Sequence, residues 1–280
     1  MIRLYIVWVL VASLFTSAGL SADTVFYQPA PTDASVSSAQ WQQIWRETKL
    51  QGYDAVVVQW SRIGATDYLG WPDTENRTAH SEGQAWFRRA LQLAVAADLQ
   101  LVLGLYAEAD MSETLAGDDA VYYLHHLLSH SRLQMEKATA WELPVSAWFI
   151  PLGLEDRHLR QPALLDEVAQ QIRSLKRLTT LPLALNIMSS GLYTPDRFAD
   201  WLHVLSDDGL RLWWQPSPEV FLPPLVVDAY LQQMGCGVGI VNIQGVVKDQ
   251  EDEAFRACHR LATGSLRELP GVQMQFSSQP

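Results

Sequence analysis

Three acidic side chains, Glu108, Glu155 and Asp156, each follow a short β-rich run within a few residues. Leu101–Tyr106 precedes Glu108, and Val145–Pro151 precedes Glu155 and Asp156. Breaking a glycosidic bond takes two carboxyl groups, one as acid and one as base or nucleophile. Glu155, Asp156 and Glu108 are therefore the candidate catalytic residues. Glu219, in the proline-rich stretch Pro216-Ser217-Pro218-Glu219, ranks behind them. Arg157 could neutralise either member of the 155–156 pair, so a structural salt bridge is the alternative.

Amides and aromatic rings recur at the same kind of place. Tyr27-Gln28, Gln59-Trp60, Tyr106, Asn186, Trp213-Trp214-Gln215, Asn242 and Gln244 all fall at or near the ends of β-rich runs. An amide donates to and accepts from hydroxyls, and a flat ring can lie on the C–H face of a sugar. The candidate substrate-binding residues are Gln28, Gln59, Trp60, Trp71, Tyr106, Asn186, Trp214, Gln215, Asn242 and Gln244. Their alternative role is as interior residues bonded to one another. Trp71 belongs to the loop Ser61–His80, which reads as structureless and long enough to wall a cleft.

The elements that must carry these residues alternate. The β-rich runs are Thr24–Gln28, Ala55–Trp60, Leu101–Tyr106, Val145–Pro151, Leu183–Ile187, Leu210–Gln215, Val238–Gln244 and Val272–Phe276. They are continuous apolar runs, as expected of strands buried on both faces. Helical patterns separate them. Trp41, Ile44, Trp45 and Thr48 share one face, and Asp118 to Ala140 is a long helical stretch. Helices open at Pro162 and at Thr194-Pro195, and another ends at Gly235. Asp249 opens the last pattern, with Phe255, Cys258 and Leu261. Strand–helix alternation predicts a parallel sheet with right-handed crossovers. The fold class is α/β, a single (β/α)8 barrel over residues 23–280, with an open doubly wound sheet as the alternative. Only Ser-Ser-Gln-Pro follows the expected last strand, so the eighth helix is expected to be missing. In such a barrel, chemistry sits at the C-terminal ends of the strands.

Met1-Ile2-Arg3, an apolar run from Leu4 to Phe15 and a small-residue exit at Ala22 read as a signal peptide over residues 1–22. The run is too short to span a bilayer. Export to the periplasm or beyond, without stable membrane insertion, is the expectation. The net charge of −11 repels phosphate backbones, so nucleic acid is excluded as a partner. Cys236 and Cys258 are free to form a disulfide in an oxidising compartment, and the sequence leaves this open. His126 and His130 share a helical face but lack the glutamate of a zinc motif and fall mid-helix, away from the rim. No metal is expected, and no phosphate-binding motif suggests a nucleotide cofactor.

Phe26-Tyr27-Gln28-Pro29, Trp41 and Gly52-Tyr53-Asp54 lead into Val57-Val58-Gln59-Trp60. With Gly104-Leu105-Tyr106 and Trp148-Phe149-Ile150-Pro151, this resembles the domain of unknown function forty-four thirty-four. The resemblance implies a secreted, glycoside-hydrolase-like barrel. Relatives carry an acid two positions after the proline of the fourth strand, where this chain has Gly153. The seventh strand ends in the amides Asn242 and Gln244, which cannot be nucleophiles. Three readings are open. One is a hydrolase acting on a polysaccharide or cell-envelope glycan. Another is a non-catalytic glycan-binding barrel, accessory to exopolysaccharide handling. A two-lobed solute-binding protein is a third.

Overall fold

The computed structural model describes residues 23–71, 79–108, 119–160, 162–207, 210–217, 220–236, 238–242 and 261–263. The expected leader, the loop 72–78 and Gln244 lie outside these residues. In chain order the elements are β1 (Asp23–Tyr27), α1 (Ser38–Leu50), β2 (Tyr53–Val58), β3 (Arg62–Ile63), β4 (Thr66–Asp67), α2 (Ala79–Ala96), β5 (Gln100–Gly104), β6 (Tyr106–Ala107) and α3 (Ala120–Ala140). Then come β7 (Val145–Glu155), α4 (Pro162–Lys176), β8 (Leu183–Ser189), α5 (Pro195–Asp207), β9 (Arg211–Pro216), α6 (Pro224–Gln233), β10 (Gly239–Asn242) and β11 (Leu261–Thr263).

Local chemistry sets the helix starts. Ser37 accepts from the backbone N–H of Gln40, and the Gln40 side chain accepts from the N–H of Ser37, which closes the first turn of α1. Proline opens α4, α5 and α6, where its missing N–H costs nothing.

The strands close in the order β1-β2-β5-β7-β8-β9-β10-β11 and back to β1. Every pairing in the ring is parallel. Pairing of β1 with both β2 and β11 excludes the open sheet. Side chains alternate across each strand, which gives two shells. Phe26, Val57, Phe149, Ala184, Trp213 and Val241 fill the barrel interior. Val25, Tyr27, Val56, Val58, Trp214 and Ile240 face outward and share one core with the helices. Gly239 makes the interior fit, because a Cβ there would lie 2.5 Å from the Trp213 ring.

Two expectations are corrected. The strand that closes the barrel is Leu261–Thr263, not Val272–Phe276. A segment of helical periodicity reaching Leu261 hid a three-residue strand, too short to register its own alternation. Residues 264–280 lie outside the described ones, so the argument for a missing eighth helix no longer has its premise. The loop after β2 is also not structureless. Residues 62–67 form a β3–β4 hairpin, and β3 pairs in parallel with β6. Cys236 is disulfide-bonded. The other cysteine in the sequence is Cys258, outside the described residues.

Gly104 marks a close approach of β5 to the end of β2. A Cβ there would sit 2.2 Å from the Gln59 carbonyl oxygen, which is backbone and cannot swing aside. Gly104→Ala is expected to cost more than about 2 kcal/mol, measured by urea unfolding. An unchanged midpoint at unchanged slope would show that the β2–β5 junction yields.

Candidate functional site at the barrel mouth

The inward-facing residues continue upward by twos. Phe26 is followed by Gln28, Val57 by Gln59, Ala184 by Asn186, and Trp213 by Gln215. The alternation that sends the first of each pair into the barrel sends the second to its C-terminal mouth. The ladder sets their register: Phe26 stands opposite Val57, Asn186 opposite Trp213, and Met188 opposite Gln215, so Asn186 sits one inward step deeper than Gln215 along the β8–β9 pair. The N–H of Gln59 donates to the Tyr27 carbonyl at 2.8 Å and extends the pairing past the last strand residue. Gln28 is exposed, and Gln59, Asn186 and Gln215 are half-buried. Asn186 Oδ1 is buried without a hydrogen-bond partner. The backbone of Asn242 ends β10.

Glu155 reaches the mouth through a bulge. From Ile150–Leu185 to Leu154–Ile187, β7 advances four residues while β8 advances two. Gly153, at φ +55°, makes the extra turn. Glu155 consequently stands opposite Met188, where an unbroken ladder would place residue 153. Glu155 is buried and paired with Arg157, whose Nε lies 2.8 Å from Oε2 and whose Nη2 donates to Oε1 at 3.2 Å. The salt-bridge alternative describes this residue.

Asp156 faces the loop after β8. It accepts from the N–H and hydroxyl of Ser190, and from the N–H of Leu192 at 3.0 Å. Fully buried, it ties that loop to the end of β7. Burial, with the Asp156 charge added, pushes the Tyr230 phenol up to about 12.

The tryptophans are corrected. Trp214 is enclosed outside the barrel wall, donates from Nε1 to Ser189 Oγ at 3.0 Å and stacks on Tyr230. It offers no face to a ligand, because its position in β9 has the outward parity. Trp60 shares the outward parity of Val56 and Val58 and packs against the outer core. Trp71 is exposed but lies 5.7 Å from Lys137, near the C-terminal end of α3. A helix following a barrel strand runs back down, so this end lies away from the mouth. Tyr106 is buried and bonds Glu108. Burial first, then the Glu108 bond and charge, push its phenol up to about 12.

His126 and His130 lie mid-helix as expected, His130 at the middle residue of α3 and His126 one turn before it. They meet Tyr106 and Glu108, with the His126 and His130 rings 5.5 and 4.7 Å from that of Tyr106. Spacing along α3 made them neighbours, but nothing local in the sequence indicated Arg62, which lies 3.3 Å from His130 Nδ1. No group of three or more His, Cys, Asp or Glu side chains placed to hold one metal ion occurs among the described residues.

A family model described as Domain of unknown function (DUF4434) matches residues 23–263. The chain belongs to this family. The DUF4434 match covers every strand of the barrel. The uncharacterized protein YbcH of Escherichia coli K12 is 25% identical over 228 residues, which is 78% of this chain and 72% of YbcH. Among solved structures, a candidate alpha-L-fucosidase from Bacteroides thetaiotaomicron superposes with a TM-score of 0.58 at 10% identity. That match covers 88% of this chain and 87% of the fucosidase candidate, and it shows the shared barrel fold.

Proposed function

We propose that this DUF4434 barrel binds a neutral, hydroxyl-rich glycan at its mouth, outside the cytoplasm. Asn186 Oδ1 carries the reading. A buried acceptor without a partner costs about 1–3 kcal/mol, and a ligand hydroxyl at the mouth would satisfy it. Gln28, Gln59 and Gln215 share its parity and supply further donors and acceptors. A barrel of similar shape in a fucosidase candidate supports the substrate class by fold analogy alone. The leader-like residues 1–22 support export, and no described helix is long and apolar enough to cross a membrane.

Hydrolysis is the second reading, favoured by the Gly153 bulge that brings Glu155 to the mouth. Against it stand the Arg157 ion pair and the structural role of Asp156. The protein should be screened against envelope and extracellular polysaccharides, with binding and release of reducing ends scored separately. Asn186→Leu is expected to weaken binding about tenfold, the worth of one good hydrogen bond. Unchanged affinity in that variant, or no glycan bound by the parent chain, rejects the binding reading. Reducing ends released by the parent and not by Glu155→Gln would establish hydrolysis.

A further inference from the structure

Arg62 of β3, Tyr106 of β6, Glu108 and two histidines of α3 form one chain of polar contacts. Arg62 Nη1 lies 3.3 Å from His130 Nδ1, and His130 Nε2 lies 2.9 Å from His126 Nε2. His126 Nδ1 lies 3.8 Å from Glu108 Oε2, the oxygen that accepts from the Tyr106 hydroxyl. A guanidinium has donors and no acceptor. His130 Nδ1 must therefore be bare, which puts the His130 proton on Nε2. That proton points at His126 Nε2, which must be bare in turn. His126 then carries its proton on Nδ1, toward Glu108. An imidazolium has no acceptor, so neither ring can be charged while both bonds stand.

We propose that His126 and His130 form a proton-operated latch, in which one proton taken up at His126 Nε2 breaks the bond to His130 and pairs His126 with Glu108. The proton comes from solvent, no covalent bond changes, and His130 keeps its own. The surrounding charges direct the proton to His126. His130 has the Arg62 cation on its far side and Lys137 further along α3. Burial first, then Arg62 and His126, hold its ring below the usual histidine range. His126 has the Glu108 carboxylate on one side and the Tyr122 ring stacked at 6.5 Å on another. Glu167, from the neighbouring α4, lies 3.2 Å from His125 on the adjacent flank. With neutral rings, His126 is held to His130 within α3. In acid it lets go of His130 and engages Glu108, one of the chain's candidate catalytic carboxylates, while the Arg62–His130 contact to β3 stays in place.

The test uses the full chain labelled with nitrogen-15. Long-range ring spectra at about pH 8 are expected to show His126 protonated at Nδ1 and His130 at Nε2. On acidifying to about pH 5, the pair should take up its first proton at His126. Amide exchange over residues 120–130 should then fall about tenfold relative to His126→Gln, the worth of one charge-assisted hydrogen bond gained between α3 and Glu108. The inverse tautomers, a first proton on His130, or the same pH response in His126→Gln would each overturn the latch. If His126→Gln does not fold, the parent spectra decide, since they alone report tautomer and first proton.

Discussion

Lys137→Met is expected to destabilise the protein by about 3–5 kcal/mol, the cost of leaving a buried charge without its partner. Lys137 Nζ donates to Asp67 Oδ2, with the two side chains 5% and 18% exposed. Asp67 also accepts from Leu69 N–H at 3.1 Å, Gly70 N–H at 3.2 Å and Gln134 Nε2 at 3.4 Å. It is the pin of the β3–β4 hairpin, which Arg88 and Trp141 also grip through the carbonyls of Leu69 and Gly70. Burial works to raise the Asp67 carboxyl, but the Lys137 bond and charge outweigh it and hold the group below the ordinary carboxylate value. The stability from this pair is therefore full above about pH 4, the carboxyl's unfolded value, and is lost as pH falls through the lower folded one. Without Lys137 the burial effect is less opposed and the carboxyl moves up. The gap between parent and variant should consequently narrow on acidification. Denaturation at about pH 7 and about pH 4 reads both effects, and a gap below about 1 kcal/mol at the higher pH would refute the pin.

The second large effect is expected at Asp156. Asp156→Ala removes a buried charged acceptor from three donors of the Ser190–Leu192 loop. Hydrogen bonds to charged groups contribute about 1.5–3 kcal/mol each and are not additive, so a loss of about 3–5 kcal/mol is expected. A catalytic carboxylate would behave differently, because its removal abolishes turnover and leaves the fold intact. Thermal unfolding of the variant separates the two roles. A melting point equal to that of the parent chain would return Asp156 to the candidate catalytic residues.

The pairing of Glu155 and Asp156 shows how far local reading goes. Adjacent in sequence and identical in charge type, they could not be told apart. Glu155 is the last residue of β7 and Asp156 the first of a 3-10 turn, so one acid met Arg157 and the other met the loop after β8. Strand parity divides Trp213 from Trp214. One fills the barrel and the other packs against Tyr230. Which parity faces inward depends on how the sheet closes, and no single strand encodes that. The bulge at Gly153 lay deeper still, because the two-for-four register is a property of the β7–β8 pair.

The alternation of barrel strands and helices as far as β10, the parallel barrel and the amides at strand ends were written in the sequence, because periodicity and turn residues act over a few neighbouring positions. The closing strand at Leu261–Thr263, the Asp67–Lys137 pin and the Arg62–His130–His126–Glu108 chain were decided by tertiary structure alone. Their partners are up to hundreds of residues apart, as Thr24 is from Ala262, and only closure of the barrel makes them neighbours.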